Sequence, residues 1–291
     1  MSHERFYSRV NGPTLHRVNT VRWLDEVSPR HLAGGGDPRH VTEHLLASGW
    51  SNHSVPGFPH VLLESPDHRL HLTLEPQPDA HSAWWRIHPA ENRMWSAQFG
   101  GHTPVEMIAG FTDALDSPAP DTDLWHLPAS RGWSRLAGRE QAALSPDETA
   151  LLSQVSAISE TPRWRWTVQV SVPLSDGQHR WIWNASIDET APAAALAGFV
   201  TALTEPGPLL RDEGQTPALT FGYLDSHRSV VTPEQHRRQH LQRLEAAPRT
   251  GPPHPSPSAP APPLPRGSPA TRSTADQARP YAPSFPFHEG R

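Results

Sequence analysis

Residues 64–76 read ESPDHRLHLTLEP. Ser65-Pro66-Asp67 is turn chemistry: proline presets its own φ, and serine or aspartate side chains bond the backbone just ahead. The residues after the turn alternate. Leu70, Leu72 and Leu74 share one face, His71 and Thr73 the other, the period of a strand with one buried side. The turn therefore has a task, which is to fix the register of the strand it opens. The same tripeptide returns at Ser145-Pro146-Asp147, and that repetition raises the prospect of a chain built twice from one module.

The repeat is clearest further on. With Trp95 set over Trp183, WSAQFGGHTPVEMIAGFTDALDSP (95–118) lies on WNASIDETAPAAALAGFVTALTEP (183–206), and 9 of the 24 positions are identical. Each copy reads as a strand, a turn and a helix that begins at proline. Val105, Ile108, Ala109, Thr112 and Leu115 fall on one helical face, and Ala193, Leu196, Ala197, Val200 and Leu203 keep that face apolar. Thr103 and Glu106 have capping-box spacing. Gly110 and Gly198, each costing about 1 kcal/mol against alanine in mid-helix, suggest close approach of helix to sheet. Upstream, Gly49-Trp50 answers Gly132-Trp133.

In the first copy, Asp37 and Pro38 start a helix that ends at Gly49. Strands are expected near 60–64, 69–75, 83–88 and 94–99, then a helix over 104–115. The second copy keeps its tryptophan strands and closing helix, while 138–157 reads as helical. The expected fold is α+β: two tandem repeats, each an antiparallel sheet of about four strands with flanking helices, stacked or sharing sheet edges. The expected boundaries are an N-terminal segment 1–24, repeat 1 at 25–118, a degenerate repeat 2 at 121–212, a linker and basic helix at 213–247, and a Pro-rich tail at 248–291.

That tail carries 13 of the 34 prolines and reads as disordered, with PxxP patterns such as Pro262-Pro263-Leu264-Pro265. Before it, Thr232, Pro233 and Glu234 open a basic helix whose apolar stripe is only Leu241 and Leu244, a solvated element that packs loosely. The 291 residues hold no cysteine and no lysine, so all 25 basic residues are arginine. Thiol chemistry, Schiff bases and a P-loop lysine are excluded. A net charge of −5 gives no global drive toward nucleic acid. The opening MSHERFYSRV lacks the apolar core of a signal peptide, and no run of about 18 apolar residues is present. A cytoplasmic protein without a membrane span is expected. Eleven tryptophans cluster in strand-like runs, Trp164 with Trp166 and Trp181 with Trp183. They read first as sheet core and second as a stacking platform.

PRHLAGGGDP (29–38), ASGW (47–50), ESPDHRLHL (64–72), WWRI (84–87) and FGGHTPVEMIAGFTDAL (99–115) resemble the SPDY domain, a family of unknown function typical of streptomycete actinobacteria and often present in two copies per chain. Ser65, Pro66, Asp67, Trp84, Trp85, Trp95, Thr103, Pro104, Gly110 and Phe111 carry that signature. The resemblance covers about 90 residues in the first copy and is weaker upstream of Trp164 in the second. It implies a family, not an activity.

Four constellations invite chemistry. His40 and His44, in an HxxEH run on a helix, have the spacing of zinc ligands, but no third ligand is marked. Gly34-Gly35-Gly36 resembles a phosphate nest and reads more simply as a mobile turn feeding a helix. Asp67 and Arg69 read as fixing the signature turn rather than awaiting a ligand. Arg86 and Arg165 beside tryptophans, with Arg69, Arg237 and Arg238, form a possible binding surface. No catalytic set stands at a recognisable spacing, and no cofactor is expected. The preferred reading is a non-enzymatic interaction module with an unknown protein partner. The alternatives are a nucleic-acid-associated protein using those arginines and the helix 233–246, and a metal-dependent hydrolase at His40 and His44.

Overall fold

The computed structural model describes residues 22–248 except 80–81, 92–93, 122, 157–163 and 232. The first 21 residues, Thr232 and the Pro-rich tail lie outside the described residues. The order is β1 (Arg22–Ser28), a 3-10 turn (Arg30–Leu32), α1 (Arg39–Ala47), β2 (Ser51–Asn52), β3 (Val61–Glu64), β4 (Leu70–Leu74), β5 (Ala83–Pro89), β6 (Ala97–Gly100) and α2 (Val105–Asp113). The second half continues with α3 (His126–Ser130), β7 (Ser134–Leu136), β8 (Arg139–Leu144), β9 (Ala150–Ser156), β10 (Trp164–Pro173), β11 (His179–Asp188) and α4 (Ala193–Thr204). β12 (Leu209–Arg211), a second 3-10 turn (Ala218–Tyr223), β13 (Asp225–Val231) and α5 (Pro233–Glu245) close it.

Each copy folds as an antiparallel meander of five strands, the four expected plus an edge strand. The two meanders join into one ten-stranded sheet, β2-β3-β4-β5-β6-β11-β10-β9-β8-β7. The junction is symmetric. Ala97 pairs with Ile187, Gln98 with Ser186 and Phe99 with Ala185, so a pseudo-two-fold axis passes between Gln98 and Ser186. The same axis runs through the helices. A Cβ on Gly110 would lie 2.6 Å from the Gly198 carbonyl oxygen, and one on Gly198 would collide with the Gly110 carbonyl. The paired glycines thus let α2 cross α4, not the sheet as expected. The repeat behaves as an internal two-fold dimer with an isologous contact.

The alternation read from Leu70–Leu74 holds across the sheet. Leu63, Leu72, Trp85, Ile87, Ala97 and Phe99 in one copy, and Leu152, Trp166, Val168, Ala185 and Ile187 in the other, are buried in one core with α2 and α4. Each large side chain so buried contributes about 1.5–3 kcal/mol. Of the buried helical face expected for α4, Ala193 alone is exposed. The opposite face of the sheet points away from the helices. There the register lines up Thr73, Arg86, Gln98, Ser186 and Thr167 in one polar row across five strands.

Several expectations are corrected. The 138–157 region is β8, the Ser145 turn and β9, not helix; its alanines and leucines alternate into the shared core. The capping box does not form. The Gly35 carbonyl accepts the Val105 N–H at 2.9 Å, Glu106 is held by Arg211, and the buried Thr103 Oγ1 has no partner. Gly34-Gly35-Gly36 is not a mobile turn but a close-packed crossing: a Cβ on Gly35 would lie 2.7 Å from the Gly101 carbonyl oxygen. Trp181 and Trp183 do not share a face. A bulge at Ile182 separates them, leaving Trp183 buried and Trp181 exposed. Trp164, likewise, is exposed beside the buried Trp166. Nor is α5 loosely held: Arg243 donates to the His40 carbonyl at 2.9 Å and to both Asp113 oxygens.

Arg211, 2% exposed, is the keystone that the sequence did not single out. Its guanidinium grips both oxygens of Glu106 at 2.7 Å and donates to the carbonyls of Ala33, Gly34 and Leu210. Burial opposes the charged Glu106 carboxylate, but the Arg211 bonds outweigh it and hold its pKa below the usual value. The pair ties β12 and the glycine crossing to α2.

Candidate functional site

Ser65 builds the signature turn. Its N–H donates to the Leu70 carbonyl and its carbonyl accepts the His68 N–H, each at 2.9 Å. Its hydroxyl donates to Asp67 Oδ1 at 2.7 Å and accepts the N–H groups of Arg69 and Leu70. Burial opposes the Asp67 carboxylate, but Ser65 and Arg69 outweigh it and set its pKa at about 2. Ser145 repeats the pattern with Glu148 and Ala150. In both turns the fourth residue takes a left-handed φ, His68 at 59° and Glu148 at 60°. The turn is therefore scaffold, present in both copies.

The surroundings of the turn differ between the copies. In the first copy, Glu64 ends β3 on the open face, and three imidazoles converge on its carboxylate. His53 Nε2 lies 3.1 Å and His68 Nδ1 3.0 Å from Oε2, and His71 Nε2 lies 3.5 Å from Oε1. The His68 hydrogen bond leads the effects that lower the Glu64 pKa. His88, paired with His71 across β4 and β5, meets it edge to face at 5.7 Å. Beside this cluster the 53–60 loop, with β3 and the end of β4, lines an open cleft of about 460 Å³. Val55, Phe58 and Leu62 form an apolar wall, His53 and His60 a rim, and Thr73 and Glu75 a polar floor. Val55 and Phe58 are 60% and 64% exposed, far more than core side chains. Glu75 in turn holds Arg86 at 3.0 Å. The volume lies in the range of small-ligand sites.

The second copy has the scaffold without the site. Register and the shared turn place Leu144 where Glu64 stands, Glu148 at His68, Leu151 at His71 and Gln169 at His88. The 53–60 loop corresponds to the two residues Ala137 and Gly138 between β7 and β8. Ser65, Pro66, Asp67, Leu72 and Trp85 keep their identities at Ser145, Pro146, Asp147, Leu152 and Trp166.

The residues singled out from sequence are scattered by comparison. Trp85, Trp95, Thr103, Pro104 and Phe111 are buried, and Trp84 and Gly110 partly so; Trp84 packs against Gly101. Arg69, Arg86 and Arg165 each face a carboxylate, Asp67 at 2.5 Å, Glu75 at 3.0 Å and Asp188 at 2.8 Å. Arg237 and Arg238 are exposed on α5. Arg86 stands in the polar row of the open face, and Arg165, two residues from Thr167, lies on that same face. His44 is buried, with Nδ1 at 3.1 Å from the Arg243 carbonyl oxygen and Nε2 at 3.4 Å from Asp113. His40 is desolvated beside Arg243, and its pKa falls to about 4. Among the described residues, no three ligating side chains are arranged to hold a metal ion. His44 through its ring and His40 through its backbone carbonyl thus anchor α5 to α1. Sequence reasoning missed Glu64, His53, His71, His88 and Phe58. The one available signal was their loss from the second copy.

Among the described residues, no helix is long and apolar enough to cross a membrane. Residues 64–121 and 144–209 match the family model of the SPDY domain, a domain of unknown function (DUF317). No curated protein and no solved structure matches the chain.

Proposed function

We propose that this chain, which carries the SPDY domain in two segments, is a non-catalytic, cytoplasmic binding module. The second copy acts as scaffold, and the first holds the ligand in the cleft of the open sheet face. The observation that carries this reading is internal. Both copies fold on the same turn and core, yet only the first has the 53–60 wall and the imidazoles around Glu64. Residues that one copy discards without loss of fold are not demanded by the fold.

Two arrangements favour binding over turnover. His31, Thr149 and Asp147 have the residue types of a relay, but Thr149 and Asp147 meet the same ring nitrogen, Nε2, at 2.7 and 3.2 Å. An aspartate so placed does not orient the ring toward the hydroxyl, as a catalytic triad requires. Of the HxxEH histidines, the His44 ring is held against the Arg243 carbonyl of α5. The nucleic-acid alternative draws less support, because Arg69, Arg86 and Arg165 are each neutralised by a neighbouring carboxylate.

Affinity capture tests the reading. The immobilised full chain is exposed to nuclease-treated lysate beside a Phe58→Ser/Leu62→Ser variant and a Val155→Ser control on the second copy. A protein or small molecule kept by the native chain and the control, and lost from the cleft variant, supports it. Equal retention by all three overturns it.

A further inference from the structure

The cleft and the imidazole cluster share a residue. His53 lines the cleft and also contacts Glu64; His60, in the same lining, approaches Glu75 at 4.0 Å. Resting on the reading above, we propose that the cleft takes a small organic acid with an apolar body, and that protons on its histidines control the binding.

Each element around the site brings its own charges. With the imidazoles neutral, β3 supplies the anion Glu64, the end of β4 supplies Glu75, and β5 supplies the cation Arg86, already paired with Glu75. Asp67 and Arg69 at the turn cancel each other. The site then carries one net negative charge and repels an acid. Imidazole is the side chain that gains its proton between about pH 8 and 5. His53 and His60 stand on the loop, His68 on the turn, His71 on β4 and His88 on β5, all on one side of the sheet. The first imidazolium is matched by Glu64. A second reverses the sign of the site, since Glu75 is already shared by Arg86 and His60. Each added cation raises the attraction for an anionic head at the His53 and His60 rim, while Val55, Phe58 and Leu62 receive the apolar body. The second copy cannot do this, having Leu144, Leu151 and Gln169 at the matching positions.

Two fluorophores of nearly the same shape separate charge from apolarity: anilinonaphthalene sulfonate, an anion, and N-phenylnaphthylamine, uncharged. Both are titrated against the full chain at about pH 7.5 and about pH 5.5. The expected result is a roughly tenfold tighter sulfonate complex at the lower pH, with the neutral probe unchanged. His53→Gln/His60→Gln should cut the rise sharply and leave the neutral probe bound; Phe58→Ser/Leu62→Ser should release both. The inference is overturned if sulfonate affinity ignores pH while the neutral probe binds, or if the rise survives undiminished in the double histidine variant. It is equally overturned if both probes tighten together, the signature of a loosened core. If neither probe binds at any pH, the cleft reading itself fails, which is a different result.

Discussion

Ser65 and Ser145 show how one side chain sets a register. Each hydroxyl oxygen accepts a backbone N–H at the start of the following strand, Leu70 in one copy and Ala150 in the other, at 2.9 Å. Both residues are almost wholly buried, at 4% and 1% exposure, so water cannot replace the lost partner. Ser65→Ala and Ser145→Ala should each cost about 1–3 kcal/mol in urea unfolding. A loss near zero would show that the tripeptide is not a register device. His40 sets a different limit. Burial first, then Arg243, depresses its folded pKa to about 4, against an unfolded value near 6.5. The fold favours the neutral ring, so its contribution is complete above about pH 6.5 and is lost as the pH falls toward 4. Between about pH 7 and pH 5, His40→Gln should lose about 1–2 kcal/mol less stability than the native chain. Parallel stability curves for the two proteins would contradict this.

At the scale of elements, the crossing of α2 and α4 is decided by what glycine lacks. In an exposed helix Gly→Ala stabilises by about 1 kcal/mol. Here a methyl on Gly110 meets the Gly198 carbonyl, and Ala114 and Ala202 close the remaining space on either side of the axis. Gly110→Ala and Gly198→Ala should therefore reverse that sign and destabilise by about 1–3 kcal/mol, through overpacking. Thermal unfolding would read this directly, and a raised Tm for either variant would mean the helices can move apart at little cost. The sequence showed that these glycines recur together. It did not show that they face one another, because one strand-turn-helix pattern fits either a helix on its own sheet or a helix against its sister.

Across the whole molecule the copies are not separable beads. The start of the first copy reaches into the second: His31 bonds Thr149 at 2.7 Å, and its carbonyl accepts the Trp183 indole N–H at 2.7 Å. Arg30 donates to the Ala202 and Gly207 carbonyls. The sheet itself is continuous through β6 and β11. Urea unfolding should therefore give one transition, coincident by tryptophan fluorescence and far-UV circular dichroism. His31→Ala should shift that whole transition, by about 1–3 kcal/mol, without splitting it. Two resolved transitions would show that the copies fold apart.

Much of this was legible in the order of residues. Period two after Ser65-Pro66-Asp67 marked β4 and its buried face, and the proline starts and apolar stripes marked α2 and α4. These are local, set by backbone sterics and by the spacing of apolar side chains, and they held. Where local propensity contradicted the tertiary result, as in the alanine-rich 138–157 stretch, pairing with β10 and burial in the shared core prevailed. Capping failed at Thr103 for a similar reason, since the carbonyl of Gly35, far back in the chain, reached the helix first. The sequence by itself determined the α+β class, the repeat and the signature turn. Only the tertiary structure decided the two-fold junction, the buried Arg211 and the gathering of His53, His68 and His71 on Glu64. Those depend on which distant segments meet, and spacing along a chain carries no distance in space until the sheet has been ordered.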